Sequence, residues 1–169
     1  MSIPSFLELA EHALDPVVRA GIRRHDFVRV RFLEAIDPLT DEQLHWRPGS
    51  SQARPIALIL DHIGSAATNY RRLFTGEGTD AGLGLWQDPN ALATYTRRPL
   101  AFYRENILAV YDRLVEAYLR ATPEMLAREV MLRSGRSITG EMLLFHATEH
   151  LYYHTGQINY ITMLPGFPV

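Results

Sequence analysis

The stretch Phe145-His146-Ala147-Thr148-Glu149-His150-Leu151-Tyr152-Tyr153-His154-Thr155-Gly156-Gln157 decides how the rest of the chain is read. Its histidines recur at every fourth residue, and a helix stacks such positions on one face about 6 Å apart along the axis. That face also carries Leu143, Ala147, Ile158 and Ile161, so it is expected to point into a core. A buried imidazole has two ring nitrogens to satisfy, by hydrogen bonds or by a metal ion. A lone histidine on an apolar face is ordinarily a hydrogen-bonded core residue, but three in succession are hard to explain as packing. Two adjacent members could share an ion. A further ligand would come from a facing helix, which the spacing does not identify.

Working outward, this helix is expected to begin near Ser137 or Thr139 and to stop at Leu164-Pro165-Gly166, where proline ends the hydrogen-bond ladder. Asp15-Pro16, a capping residue with proline in the first turn, opens a helix that runs to Ile36 before Asp37-Pro38. Its stripe is Val18, Ile22, His25, Arg29, Leu33 and Ile36, two polar residues on an otherwise apolar face. Pro55 opens another helix through Ile56, Ile59, Ile63, Ala66, Tyr70 and Leu73 to Gly76, with His62 on or beside the stripe. Pro99 opens a third, with Leu100, Tyr103, Ile107, Val110, Leu114 and Tyr118 on one side, closed by Thr122-Pro123. Ser5 with Glu8 forms a capping box for a short N-terminal helix. Leu39 to Gln52 reads as a turn-rich connector, and the glycine-rich loop from Gly76 to Asn90, extending toward Tyr95 and holding Trp86, as a candidate pocket rim. No strand pattern stands out. The expected architecture is all-α: one domain over residues 1–169, a four-helix bundle with a short extra N-terminal helix.

Composition narrows the chemistry. The 169 residues are 47% hydrophobic and 21% charged with a net charge of -2, and no basic block suggests a nucleic-acid partner. No apolar run approaches a membrane span and no basic-then-apolar leader opens the sequence, so a soluble, cytoplasmic protein is expected. There is no cysteine, hence no disulfide, thiolate ligand or thiol nucleophile from the chain itself. All 17 basic residues are arginine, which closes lysine-based covalent catalysis. Any metal must sit on His, Asp or Glu.

The histidine in Leu58-Ile59-Leu60-Asp61-His62-Ile63, followed by His-x-x-x-His-x-x-x-His-x-Gly-Gln near the C-terminus, resembles the DinB-like superfamily. The resemblance extends over nearly the whole chain, including Leu44-His45-Trp46-Arg47-Pro48 and Leu164-Pro165-Gly166. It implies metal ligands at His62, His150 and His154, with His146 a neighbour. It also implies a four-helix bundle, often a homodimer, that holds one divalent ion such as zinc or nickel. Enzymes of this kind activate low-molecular-weight thiols such as bacillithiol or mycothiol for S-transfer to a small-molecule substrate, and some isomerise or hydrolyse. Three imidazoles leave a coordination position for substrate or water. The absence of cysteine suits a borrowed thiol. Gln157 falls in helical phase to hold a ligand or the bound water, or else to serve as a packing amide, and His25 and Arg29 either line the pocket and hold an anionic group or form an exposed flank of their helix. Trp46 and Tyr153 read better as packed aromatics, and Asn69 as a polar core residue.

Rival readings are weaker. His146-Ala147-Thr148-Glu149-His150 matches the H-x-x-E-H string of one class of zinc peptidases, with Glu149 as base, but no Asp or Glu follows His150 to complete that ligand set. A di-iron carboxylate bundle needs paired Glu-x-x-His elements, and only Glu42-Gln43-Leu44-His45 has the spacing. A non-catalytic, stress-associated binding protein and a metal-dependent hydrolase remain the alternatives to an S-transferase.

Overall fold

A computed structural model describes residues 10, 11, 13, 15–47, 49, 53–78 and 91–168. The expected N-terminal helix on Ser5 and Glu8, and Trp86 of the expected pocket rim, lie outside the described residues.

Of the four long helices, two start on side-chain caps and two follow a proline that offers no side-chain cap. In α1 (Pro16–Ile36) the Asp15 carboxylate accepts from the backbone N–H groups of Val17 and Val18, at 2.7 and 3.2 Å. The long helix α3 (Ile56–Thr75) ends where Gly76 turns left-handed at φ 85, a conformation that costs glycine little. Before it, α2 (Asp41–His45) sits inside the connector, started by a capping box between Thr40 and Gln43. A single turn, α4 (Ala91–Thr94), precedes α5 (Leu100–Leu119), and α6 (Pro123–Ala127) follows on the Thr122 cap. The last helix, α7 (Gly140–Thr162), starts on Thr139, whose hydroxyl accepts from Met142 N–H at 3.2 Å.

One expectation is corrected. Strands are present: β1 (Glu129–Met131) pairs antiparallel with β2 (Ser137–Thr139), with Val130 opposite Ile138. Three residues per strand, with one buried position each, are too few to display a period of two.

Cross-helix contacts fix the topology. Gly21 meets Leu144 and His25 meets Thr148, so α1 and α7 run parallel. His62 faces His154 while Tyr70 faces His146, so α3 and α7 are antiparallel. Gly64 adjoins Ile107 and Phe74 packs on Tyr118, making α3 and α5 parallel. The chief packed pairs are α1 on α7, α7 on α3 and α3 on α5. Consecutive long helices α1 and α3 therefore sit diagonally, as do α5 and α7, and the chain crosses the bundle end twice. Because α3 and α5 are parallel, the end of α3 at Thr75 and the start of α5 at Leu100 lie at opposite ends of the bundle.

The core is aliphatic at Ile22, Ile56, Ile63, Leu114, Leu143 and Ile158, each fully or almost fully buried and worth about 1.5–3 kcal/mol. A polar layer interrupts it. His25 is buried, its Nδ1 lies 3.3 Å from the Thr148 hydroxyl, and its ring stacks on Tyr111 with centroids 4.8 Å apart. Burial, with the Arg29 charge adding, lowers the His25 pKa to about 3.

Two stability experiments follow. A Cβ at Gly140 would fall 2.0 Å from the Met125 carbonyl oxygen, an obstacle that no rotamer change removes, whereas Gly156 has nothing within 4 Å. Gly140→Ala is expected to destabilise by about 1–3 kcal/mol and Gly156→Ala to stabilise by about 0.5–1 kcal/mol, read from urea midpoints. For pH, the unfolded chain protonates His25 near 6.5 and the native chain resists to about 3, so the unfolded state binds more protons in that window and stability declines as pH drops through it. His25→Gln should flatten that decline by an amount on the order of 4 kcal/mol over the window.

Candidate metal centre

Each histidine of the site is presented by the middle of a long helix. His62 lies on α3, while His150 and His154 are one turn apart on the neighbouring α7. Because these helices are antiparallel and packed, all three rings meet at the seam. His150 Nε2 stands 3.0 Å from His62 Nε2 and 3.1 Å from His154 Nε2, and one ligand atom from each residue falls within 4.8 Å of the others.

The donor chemistry fits a cation. A neutral imidazole nitrogen carries either one N–H or one lone pair, so His150 Nε2 cannot serve both neighbours as a full hydrogen-bond partner. His154 Nδ1 donates to Gln157 Oε1 at 2.6 Å, which leaves its Nε2 as the lone-pair nitrogen turned to the cluster. Gln157 Nε2 in turn donates to the Tyr153 hydroxyl at 3.0 Å. An ion about 2.0–2.1 Å from each nitrogen would set ligand atoms roughly 2.9–3.4 Å apart, and both short separations lie in that range.

The electrostatics agree. Burial, then the His154, His62 and His146 rings, lowers the pKa of His150 to about 2. Burial lowers His62 to about 4, with His154 and Arg54 adding to the effect. Burial also lowers His154, opposed by its bond to Gln157. All three are therefore neutral at pH 7, the state that ligates.

The remaining expected residues divide. His146 is outside the group: its Nε2 lies 3.5 Å from the Tyr70 hydroxyl and its ring centroid 6.5 Å from that of His150. His25 is held in the core layer, and Arg29 pairs with Asp26 at 3.2 Å, the two side chains only 11% and 10% exposed. Neither belongs to the three-histidine group, and their burial rules out an exposed flank. Tyr153 is not a packed core aromatic. It is 63% exposed and lies edge-on to His154 with ring centroids 5.1 Å apart. Trp46 does pack, edge-on against Phe167, and Asn69 is buried.

Two residues were not singled out for the site from sequence. Tyr70, read there only as a stripe position, touches His146 and His150. Arg54, just before α3, lines a cleft with Ile59, Tyr153 and Gln157 beside the triad. Spacing along one helix offers no signal for either, since both act across elements.

Comparison with known proteins places this geometry. Among curated proteins, nothing matches the sequence. Among solved structures, the chain resembles a mycothiol-dependent maleylpyruvate isomerase with TM-score 0.67 and 12% identity, over 83% of this chain and 60% of that one. It thus spans less than two thirds of the isomerase's length. It also resembles YfiT from Bacillus subtilis, described as a probable metal-dependent hydrolase with an unusual four-helix bundle topology, with TM-score 0.65 and 15% identity over 86% and 85% of the two chains. At these identities the likeness is one of fold. The DinB superfamily matches residues 24–158, a span that contains His62, His150 and His154, and this chain belongs to that superfamily.

Proposed function

We propose that the chain is a metal-dependent enzyme that activates a low-molecular-weight thiol for S-transfer at a divalent ion held by His62, His150 and His154. The observation that carries the proposal is the meeting of three imidazoles, one oriented by Gln157, with His150 Nε2 3.0 Å from His62 Nε2 and 3.1 Å from His154 Nε2. Zinc or nickel suits three imidazoles, and a thiol or water entering the remaining position would lose its proton near neutral pH. The chain's own groups have distinct tasks. Gln157 holds the His154 ring and its tautomer, and Tyr153 steadies Gln157 from the solvent side. Tyr70, whose hydroxyl burial raises to about 12, keeps its proton and closes the inner side of the cluster beside His146.

Hydrolysis is the second reading, supported by the fold shared with YfiT, and it would use water in place of the thiol at the same site. Among the described residues no helix is long and apolar enough to cross a membrane. The exposed aromatics Phe27, Tyr152 and Tyr160 on α1 and α7 support a homodimer, which light scattering tests.

Elemental analysis of purified protein should find close to one ion per chain. His62→Ala, His150→Ala and His154→Ala should each weaken metal binding by more than about a hundredfold, Gln157→Leu by about 10–100-fold, and His146→Ala little. Retention of metal by His150→Ala would overturn the ligand set. Metal-dependent conjugation of an electrophile to a small thiol is the expected activity; activity only in ester or amide hydrolysis assays would select the second reading.

A further inference from the structure

Beside the histidines the structure opens a cleft of about 500 Å³ lined by Arg54, Ile59, Tyr153, Gln157, Tyr160 and Ile161. Its size is that of a small-molecule site. The cleft adjoins the three-histidine site through two contacts and one shared helix. Gln157 is bonded to His154, the Tyr153 ring lies against the His154 ring, and Ile59 is about one turn before His62 on α3. Arg54 shares the wall of this cleft with Ile59, on the helix that carries His62. It is the one charged side chain among the described residues lining this cleft, and the rest of the lining is apolar or carries an uncharged hydroxyl or amide. A guanidinium stays charged at any physiological pH and presents a planar fork that matches a carboxylate, while the apolar walls favour a hydrocarbon body.

We propose that this cleft binds an apolar carboxylic acid, with Arg54 receiving the carboxylate and the other end of the ligand directed at the three-histidine site. The proposal rests on the reading of that site as a metal centre. The carboxylate could belong to the thiol co-substrate or to its acceptor, and the two sources share this chemistry.

Calorimetric titration of zinc-loaded and zinc-free protein tests it with two matched pairs: phenylacetate against phenethyl alcohol, and thioglycolate against mercaptoethanol. Wild-type protein should prefer the acid of at least one pair by about tenfold or more. Arg54→Gln should reduce that preference to within about threefold at unchanged zinc content and unchanged melting temperature, and Arg54→Lys should keep part of it. A preference confined to the thiol pair assigns the carboxylate to the co-substrate, and one that includes phenylacetate assigns it to the acceptor; both support the proposal. Full preference in Arg54→Gln means that the ion itself takes the carboxylate, and absence of preference in the wild type means that the cleft takes none; either overturns it. Zinc bound without an acid preference defeats this proposal alone. An Arg54-dependent preference in protein that fails to take up zinc when zinc is supplied defeats the metal reading alone.

Discussion

His150 Nε2 lies 3.0 and 3.1 Å from two other imidazole nitrogens yet can bond fully with only one of them, and the three-histidine cluster is the point on which the reading of this bundle turns. Burial removes the ordinary compensation, water, and at the same time holds the rings neutral. A neutral imidazole with its other nitrogen engaged is a ligand in waiting, and the His154–Gln157 bond provides that engagement on α7 itself. The desolvation that makes the cluster costly as packing suits it to a cation.

The topology serves this convergence. α7 lies between α1 and α3, parallel to one and antiparallel to the other, so its two sides meet different chemistry. Toward α1 it presents Thr148 and Leu144 to His25 and Gly21, a packing face with one polar layer. Toward α3 it presents His146, His150 and His154 to Tyr70 and His62. A simple up-and-down order would set the first and second long helices side by side; here the diagonal crossing from α1 to α3 leaves α3 free to pack on the last helix. The connector with its capped turn α2 makes that crossing, and the hairpin with α6 makes the second one. Gly140 stands where α6 presses its backbone against the start of α7, which sets where along α7 the histidines fall.

Polar residues on α1 show how an ambiguous sequence signal resolves. His25 and Arg29 interrupt an apolar stripe, a pattern that the sequence leaves open between a pocket lining and an exposed flank. The structure satisfies them internally, through Thr148 and Asp26, and places Arg54 beside the site instead. Asp26 sits three residues before Arg29, a spacing that brings side chains together on any helix, so the pairing was open to inspection in the sequence. The position of Arg54 was not, because it precedes the regular part of α3 and reaches the cleft across the seam.

By itself the sequence determined the elements. Proline and capping residues mark the long helices, so that Asp15-Pro16, Pro55, Pro99 and Thr139 stand at or just before their first turns. Helical period alone aligned His146, His150 and His154, because residues four apart share a face whatever surrounds them. Spacing did not say which pair of the three meets His62, a set that only the family resemblance implied, and only the tertiary structure brought α3 rather than α1 or α5 opposite, paired Arg29 with Asp26 and set Arg54 at the border of the cleft. The physical reason is range. Capping and periodicity act over three or four residues, whereas the approach of His62 to His150 and His154 depends on how whole helices cross, slide and pack, which no local pattern encodes.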